Sequence, residues 1–181
     1  MIYKLVVVDM DGTLLDSNKK ISAPNKEALK KAADKGVIIA MATGRLYKAI
    51  RVYAKELQLE TPIISCNGSF IKEVYGEKPI YADPLSAEVI DTIAGVCKKY
   101  GIDCHFYSED TVIGERESFK IRFFRDWNQT LAPEDRVNLL VVPDYRQVIA
   151  DYEIYKISVC IDCPPRLQAV ALEAAAPGVW P

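Results

Sequence analysis

The first third of the chain alternates short apolar runs with stretches of helical periodicity. Apolar runs at Leu5–Val8, Val37–Met41 and Pro62–Ser65 predict three β-strands. The first run has four consecutive apolar residues, which suits a strand buried on both faces of a parallel sheet. Apolar spacing and capping residues predict helices at Ser22–Gly36 and Leu46–Leu57. This strand–helix–strand–helix–strand order predicts an α/β fold with a doubly wound, Rossmann-like parallel sheet.

The pattern changes after Gly68. Alternating apolar and polar residues from Ser69 to Tyr81 predict a β-hairpin, and the strands and helices that follow lose the earlier rhythm. This change indicates a second, α+β domain, so we expect a core in residues 1–82 and the second domain in residues 83–181. Its predicted elements are a helix after Asp83, strands at Cys104–Tyr107, Thr111–Ile113, Val137–Val142 and Ile154–Ile161, a helix at Ser118–Thr130 and a last helix after Pro165.

The predicted helix at 118–130 interleaves aromatic and basic residues, an arrangement that could stack nucleic-acid bases. Three of its aromatic residues, however, fall at i, i+4 and i+8, and this spacing predicts a buried packing stripe. The three residues of this stripe are Phe119, Phe123 and Trp127. The basic residues of the helix could still attract an anionic substrate; they are Lys120, Arg122 and Arg125.

Composition narrows the class of protein. Half of the 181 residues are hydrophobic and the formal net charge is −2, which is ordinary for a soluble globular protein and argues against a general nucleic-acid binder. No apolar run approaches the roughly 20 residues of a membrane-spanning helix, and the N-terminus leaves no room for a signal peptide. Five cysteines, an odd number, fit a reducing cytoplasm better than a disulfide framework.

Two patterns that contain cysteine could suggest a metal or redox site. Cys160 and Cys163 form a C-x-x-C, and Cys104 directly precedes His105. We expect buried thiols instead, because Cys104 and His105 are neighbours in a predicted strand and should point to opposite faces. His105 is the only histidine, and no nucleophilic serine or cysteine motif accompanies it, which argues against a Ser-His-Asp or Cys-His hydrolase.

Candidate chemistry is concentrated where the first apolar run ends, in the sequence V-V-V-D-M-D-G-T-L-L-D. Asp9 and Asp11 lie two residues apart after a strand, so both begin at the sheet edge where open α/β sheets bind ligands. Two carboxylates this close require a compensating cation or a shared proton. The pair therefore predicts a metal, or one Asp that acts as a base while the other attacks; an ordinary Asp-Gly turn is the alternative.

A second candidate sequence follows the second predicted strand. Thr43, Gly44 and Arg45 open a helix, where a hydroxyl, a glycine and a helix N-terminus suit a phosphate, although Thr43 could simply cap the helix. After the third strand, the sequence C-N-G-S places Asn67 at the same end of the sheet. An Asn-Gly turn explains Asn67 almost as well as a binding role.

These motifs resemble those of the haloacid dehalogenase-like superfamily, and specifically its Cof-type phosphatase subgroup. The sequences D-M-D-G-T, T-G-R and C-N-G-S are similar to that subgroup's first motif, its second motif and its junction with an inserted α+β cap domain. The resemblance implies an Mg²⁺-dependent phosphatase that hydrolyses small, sugar-phosphate-like metabolites through an aspartyl-phosphate intermediate. The implied partner is a small phosphorylated substrate rather than nucleic acid or a membrane.

The resemblance also implies roles for individual residues. Asp9 attacks phosphorus, and Asp11 protonates the leaving group and then activates water. The Asp9 carboxylate and the Asp11 main-chain carbonyl bind Mg²⁺. Thr43 donates a hydrogen bond to the transferred phosphoryl group. The full set of implied substrate-binding residues is Met10, Thr43, Gly44, Arg45 and Asn67.

Two motifs of the family are not recognised in this sequence, namely the lysine of the third motif and the acidic fourth motif that completes the Mg²⁺ site. Lys156 is not assigned to the third motif because it lies in a predicted strand of the second domain. We therefore expect a core that is incomplete in its C-terminal half, in which Leu5–Val8 has an unpaired edge that favours self-association. The alternatives to an active phosphatase are a truncated, weakly active or inactive phosphatase-like module and a phosphomutase with the same core.

Overall fold

The computed structural model describes residues 3–58, 60–160 and 164–175. Contacts between residues divide the chain into two units, Met1–Asp83 and Pro84–Pro181. Both units combine helices with a β-sheet, so the α/β fold class predicted from the sequence is confirmed. Within the described ranges, no helix has the length and apolar character needed to cross a membrane.

Five strands and two helices form the first unit. They are β1 (Leu5–Asp9), α1 (Ala23–Ala33), β2 (Ile38–Ala42), α2 (Tyr47–Leu57), β3 (Pro62–Ser65), β4 (Phe70–Glu73) and β5 (Tyr81–Ala82). The strands make one sheet in the order β1-β2-β3-β4-β5. The first three strands are parallel, as the strand–helix rhythm predicts, and β4 and β5 form the expected antiparallel hairpin. The carboxyl ends of β1, β2 and β3 therefore lie at one edge of the sheet.

Local sequence accounts for both helices of this unit. Ser22 caps α1, because its Oγ accepts a hydrogen bond from Asn25 N at 3.3 Å. Pro24 follows in the first turn, where its missing N–H has no helical partner to lose. Helix α2 buries one apolar face, as its spacing predicts, and ends at Gln58 in the left-handed conformation. The buried residues of α2 are Tyr47, Ala49, Ile50, Tyr53 and Ala54.

Strand β1 lies at one end of the sheet, and β2 is its only neighbour among the described strands. Its apolar side chains are exposed, since Leu5 is 52% and Val7 49% accessible to solvent. The prediction that this strand is buried on both faces is therefore wrong. The reason is that its outer edge has no partner strand and that α1 buries none of its own residues against the sheet. Within the residues that the structure describes, the expectation of an unpaired apolar edge is confirmed.

Four strands and three helices form the second unit. They are α3 (Ala87–Lys99), β6 (Asp103–Tyr107), β7 (Thr111–Gly114), α4 (Phe119–Asn128), β8 (Asn138–Val141), β9 (Lys156–Cys160) and α5 (Pro164–Ala174). The strand order in the sheet is β8-β7-β6-β9, with a parallel β7–β8 pair and antiparallel pairs elsewhere. One apolar core joins α3 to this sheet and includes Ile93, Cys97, Phe106 and Ile154.

Helix α4 does not pack through the aromatic stripe that its spacing predicts. Phe119 is 72% and Phe123 49% exposed, whereas Ile121 and Phe124 are buried. The Phe124 ring instead lies 6.2 Å from the ring of Tyr107 on β6. The prediction is wrong because this helix carries two apolar stripes, and the position of the sheet decides which of them is covered.

Adjacent residues of β6 have different surroundings, as their neighbouring positions in a strand predict. Cys104 belongs to the apolar core shared with α3. His105 is 1% exposed, and its Nε2 lies 2.6 Å from the Oγ of Ser118, the residue that caps α4. Its Nδ1 lies 3.4 Å from the carbonyl oxygen of Ser158 on β9. The last residue of the C-x-x-C pattern, Cys163, lies outside the described residues.

Burial lowers the pKa of His105 below the 6.5 of an exposed histidine, although the hydrogen bond with the Ser158 carbonyl and the nearby Asp103 raise it. As pH falls through 6.5, the unfolded chain therefore binds a proton more readily than the folded protein does, and stability decreases. Because His105 is the only histidine of the chain, the NMR titration of its ring protons reports this pKa directly. We expect a midpoint below 6.5, and a midpoint of 6.5 or higher would contradict the prediction.

Candidate active site

The parallel strands bring most of the predicted site residues to one edge of the first sheet. Asp9, the last residue of β1, pairs with Ala42, and Thr43 follows directly in the chain. Thr43 N donates to the carbonyl of Ile64 on β3 at 2.9 Å, and Asn67 N donates to the carbonyl of Thr43 at 3.1 Å. Backbone hydrogen bonds thus tie the loops after β2 and β3 to each other beside the end of β1.

A tight loop follows β1 and contacts the carboxylate of Asp9. Leu14 N donates to the carbonyl of Asp9 at 3.1 Å, and Gly12 turns the chain with a φ of +78°, a conformation that favours glycine. Thr13 Oγ1 donates to Asp9 Oδ2 at 3.2 Å. This hydrogen bond orients a carboxylate that is itself exposed to solvent.

The second carboxylate, Asp11, is held by two cations. Arg45 donates from Nε to Oδ2 at 2.7 Å and from Nη2 to Oδ1 at 2.6 Å, which makes a bidentate ion pair. Lys19 Nζ donates to the same Oδ1 at 2.8 Å. The hydrogen bonds from Arg45 and then from Lys19 lower the pKa of Asp11 to about 2, against the opposing effect of desolvation. Asp11 is therefore ionised at neutral pH in this arrangement.

Arg45 is held by contacts at its backbone and at its guanidinium group. Its backbone N–H donates to Thr43 Oγ1 at 3.3 Å. Its guanidinium lies 5.7 Å from the centre of the Tyr53 ring on α2, and Nη1 lies 3.5 Å from the Tyr53 hydroxyl. The side chain of Arg45 is 24% exposed, compared with 59% for that of Lys19. Asp11 therefore binds one well-supported cation and one accessible cation.

Sequence reasoning does not single out Lys19. The lysine lies in a turn organised by Asp16, whose Oδ1 accepts the backbone N–H groups of Asn18 at 2.8 Å and Lys20 at 2.9 Å. Lys19 itself has a φ of 58°. The residues D-S-N are a recognisable turn signal, so the turn could be found in the sequence. The contact between Lys19 and Asp11 could not be found there, because it depends on how the loop folds back.

The remaining candidate substrate-binding residues differ in which of their groups is accessible at this edge of the first sheet. Met10 is 0% exposed, so its side chain belongs to the core and only its main chain can face a substrate. Thr43 is buried, with a hydroxyl that accepts the Arg45 N–H. Asn67 is exposed and has a φ of 61°, the conformation that an Asn-Gly turn permits. Substrate binding by these residues and by Gly44 stays a prediction.

The oxygen donors at the end of β1 suit Mg²⁺ in kind. The Asp9 carboxylate and the Asp11 main-chain carbonyl are hard oxygen ligands, and Mg²⁺ commonly keeps several water ligands beside one or two from protein. The Asp11 carboxylate is engaged by Arg45 and Lys19. In the part of the chain that the structure describes, no group of three or more Asp, Glu, His or Cys residues could hold a metal.

Comparison with known proteins agrees with the motifs. The family model described as haloacid dehalogenase-like hydrolase matches residues 6–168. The pyridoxal phosphate phosphatase YbhA of Escherichia coli (strain K12) is 27% identical over 169 residues, which cover 93% of this chain and 62% of YbhA. The 5-amino-6-(5-phospho-D-ribitylamino)uracil phosphatase YcsE of Bacillus subtilis (strain 168) is 44% identical over 68 residues, which cover 38% of this chain and 27% of YcsE.

A solved structure of a haloacid dehalogenase-like hydrolase from Bacteroides thetaiotaomicron is also similar, with a TM-score of 0.78 and 24% sequence identity. The similarity covers 95% of this chain and 63% of that protein, and it shows a shared fold. The present chain thus spans less than two thirds of the length of each of these three proteins. Because the family model matches most of its residues, the chain belongs to the haloacid dehalogenase-like hydrolase family.

Proposed function

We propose that this protein is an Mg²⁺-dependent phosphatase that hydrolyses small phosphorylated metabolites through an aspartyl-phosphate intermediate. The observation that carries the proposal is the pair of carboxylates at the end of β1. One is exposed and oriented by Thr13, and the other lies between the cations of Arg45 and Lys19. Both curated relatives named above are phosphatases, which supports the same class of reaction.

Asp9 is the nucleophile of the proposed reaction. Its carboxylate oxygen bonds to phosphorus while the bond from phosphorus to the ester oxygen breaks, which leaves a phosphorylated Asp9. Water then attacks that phosphorus, the bond to Asp9 breaks, and inorganic phosphate leaves. The hydrogen bond from Thr13 limits rotation of the Asp9 carboxylate before the attack. When bound, Mg²⁺ supplies positive charge that stabilises the negative charge of the transferred group.

Asp11 is the general acid and the general base of the proposed reaction. It protonates the departing ester oxygen in the first step and takes a proton from the attacking water in the second. The hydrogen bonds from Arg45 and Lys19 favour the ionised form of Asp11, which suits the second role. An incoming phosphoryl group competes for Arg45 and Lys19, and its binding to them would remove the contacts that now lower the pKa of Asp11. Thr43 donates its hydroxyl to the phosphoryl group in the same proposal.

We assign the catalytic core to residues 1–82 and the inserted α+β cap domain to residues 83–181. The names of the curated relatives contain pyridoxal phosphate and a phosphoribitylaminouracil, which supports small phosphorylated metabolites, including sugar-phosphate-like compounds, as substrates. We also propose a cytoplasmic location, because the described cysteines are free thiols; these are Cys66, Cys97, Cys104 and Cys160.

Turnover of p-nitrophenyl phosphate by the purified chain tests the proposed function. Release of p-nitrophenolate in the presence of Mg²⁺, abolished by a chelator of divalent cations, would support a metal-dependent phosphatase. A folded sample that releases no p-nitrophenolate at any Mg²⁺ concentration would contradict it.

A non-catalytic, phosphatase-like module is the second candidate function. The described residues lack a third acidic ligand for Mg²⁺, yet two cations, Arg45 and Lys19, remain at the site to bind an anion. Such a module would bind inorganic phosphate and fail to hydrolyse phosphate esters. Binding without turnover therefore distinguishes the two functions.

We further propose that the chain self-associates through the edge of β1. This edge presents unpaired backbone groups together with exposed Leu5 and Val7, the combination that pairs readily with another strand. A lysine on such an edge opposes pairing, because it would place a charge where the apolar contact forms.

Val7→Lys should therefore shift the protein toward monomer, as measured by sedimentation velocity over a range of protein concentrations. The matched control is Ile80→Lys, which introduces the same charge at a side chain that is 59% exposed next to β5, at the opposite end of the sheet. A wild-type protein that stays monomeric at all concentrations, or equal effects of the two substitutions, would contradict association through β1.

A further inference from the structure

We propose that Lys19 is a phosphate-binding residue, whose ammonium group leaves Asp11 and contacts the phosphoryl oxygens when a substrate or inorganic phosphate binds. The inference deepens the proposed function and rests on it for the location of the phosphoryl group. The structure supplies the contact from which it starts, a 2.8 Å hydrogen bond from Lys19 Nζ to Asp11 Oδ1.

The first argument is the balance of charge around Asp11. Lys19 and Arg45 both contact Oδ1, so two positive charges share one carboxylate. Arg45 alone already forms a bidentate pair with both oxygens of Asp11. Lys19 therefore adds a positive charge that this carboxylate does not require. The phosphoryl oxygens of a phosphate monoester are a second anionic partner that this ammonium group can contact in place of Asp11.

The second argument is the difference in exposure between the two cations. Arg45 is packed against Tyr53, and its side chain is 24% exposed. The Lys19 side chain is 59% exposed and contacts Asp11 by its terminal group, so it can change partner without disturbing the core. Exposed ion pairs of this kind contribute little to stability. Little is therefore lost when the ammonium group exchanges one anion for another.

The third argument is the backbone turn that positions the Lys19 side chain. The Asp16 carboxylate accepts the N–H groups of the residues on either side of Lys19, and Asp16 N in turn donates to the carbonyl of Lys20 at 2.9 Å. These hydrogen bonds set the turn that carries Lys19. The turn thus places a cation beside Asp11, within the same segment after β1.

The test is the affinity of the full chain for inorganic phosphate, measured by isothermal titration calorimetry on Lys19→Gln and on the matched control Lys20→Gln. Both changes remove one exposed lysine from the same turn, and only Lys19 contacts Asp11. We expect Lys19→Gln to weaken phosphate binding by about tenfold, because a charge-assisted hydrogen bond is lost. Lys20→Gln should bind as the wild type does, and Lys19→Arg should recover most of the affinity.

Steady-state kinetics distinguish a failure of the Lys19 inference from a failure of the proposed phosphatase function. If the chain hydrolyses p-nitrophenyl phosphate, Lys19→Gln should raise KM by about tenfold and change kcat much less, because uniform binding is lost. If the chain binds phosphate without turnover, a loss of affinity in Lys19→Gln alone still supports Lys19 and contradicts only the enzyme. Equal phosphate affinity in Lys19→Gln and the wild type, or no phosphate binding by the wild type, would overturn the inference.

Discussion

Replacing Asp9 with asparagine is expected to lower the rate of p-nitrophenyl phosphate hydrolysis by at least about three orders of magnitude. An amide cannot form the aspartyl-phosphate, because its oxygen is a far weaker nucleophile than a carboxylate oxygen. The substitution keeps the size of the side chain, and the remaining carbonyl oxygen can still accept the hydrogen bond from Thr13. Because Asp9 is exposed at the end of β1, the substitution should leave the fold intact.

The matched control for this variant is Asp34→Asn. Asp34 is an exposed residue that follows α1, so the control makes the same carboxylate-to-amide change away from the candidate site. It should retain wild-type turnover. Hydrolysis by Asp9→Asn at more than a tenth of the wild-type rate would contradict Asp9 as the nucleophile. A phosphorylated protein trapped by rapid acid quenching from the wild type, and absent from Asp9→Asn, would support the covalent intermediate directly.

Asp11→Asn is expected to have the second largest effect, and the size of that effect should depend on the leaving group. General acid–base catalysis contributes about 10²- to 10⁴-fold to a reaction, so a loss in this range is expected for an alkyl phosphate such as glycerol phosphate. Nitrophenolate leaves without needing a proton, so the loss for p-nitrophenyl phosphate in the first step should be smaller. Rapid-quench measurements of phosphoenzyme formation with both substrates provide the comparison.

Loss of the Asp11 carboxylate also removes the ion pairs of Arg45 and Lys19, because Asp11 is their shared partner. The expected cost in stability is small, since the Asp11 side chain is 42% exposed. Thermal unfolding of Asp11→Asn should therefore resemble that of the wild type. Equal rate losses with glycerol phosphate and p-nitrophenyl phosphate would show that Asp11 does not protonate the leaving group.

Exposed apolar side chains on β1 and on α4 have different origins. At β1 the exposed residues Leu5 and Val7 belong to a strand with one neighbour, so the edge itself is incomplete. On α4 the exposed Phe119 and Phe123 belong to a helix that is already packed through Ile121. The first surface has unpaired backbone groups and favours another strand, which is why we connect self-association with β1.

The sequence by itself determined the features that depend on near neighbours in the chain. Apolar periodicity predicted the strands and helices of both units, because period two and period 3.6 follow from backbone geometry alone. The motifs that contain Asp9, Asp11 and Thr43 resemble those of the family to which the comparisons assign the chain. The same local information placed Cys104 and His105 in different surroundings on β6.

The tertiary structure alone decided which apolar residues are covered and which charges meet. Burial of β1 depends on a second strand neighbour, and burial of Phe119 depends on where the sheet lies against α4. The pairing of Asp11 with Lys19 and Arg45 requires the folded loop after β1 and the loop between β2 and α2, which comes from another part of the chain. Burial and Coulomb attraction act through space between residues far apart in sequence, and so the aspartates could be found from the sequence while the lysine beside them could not.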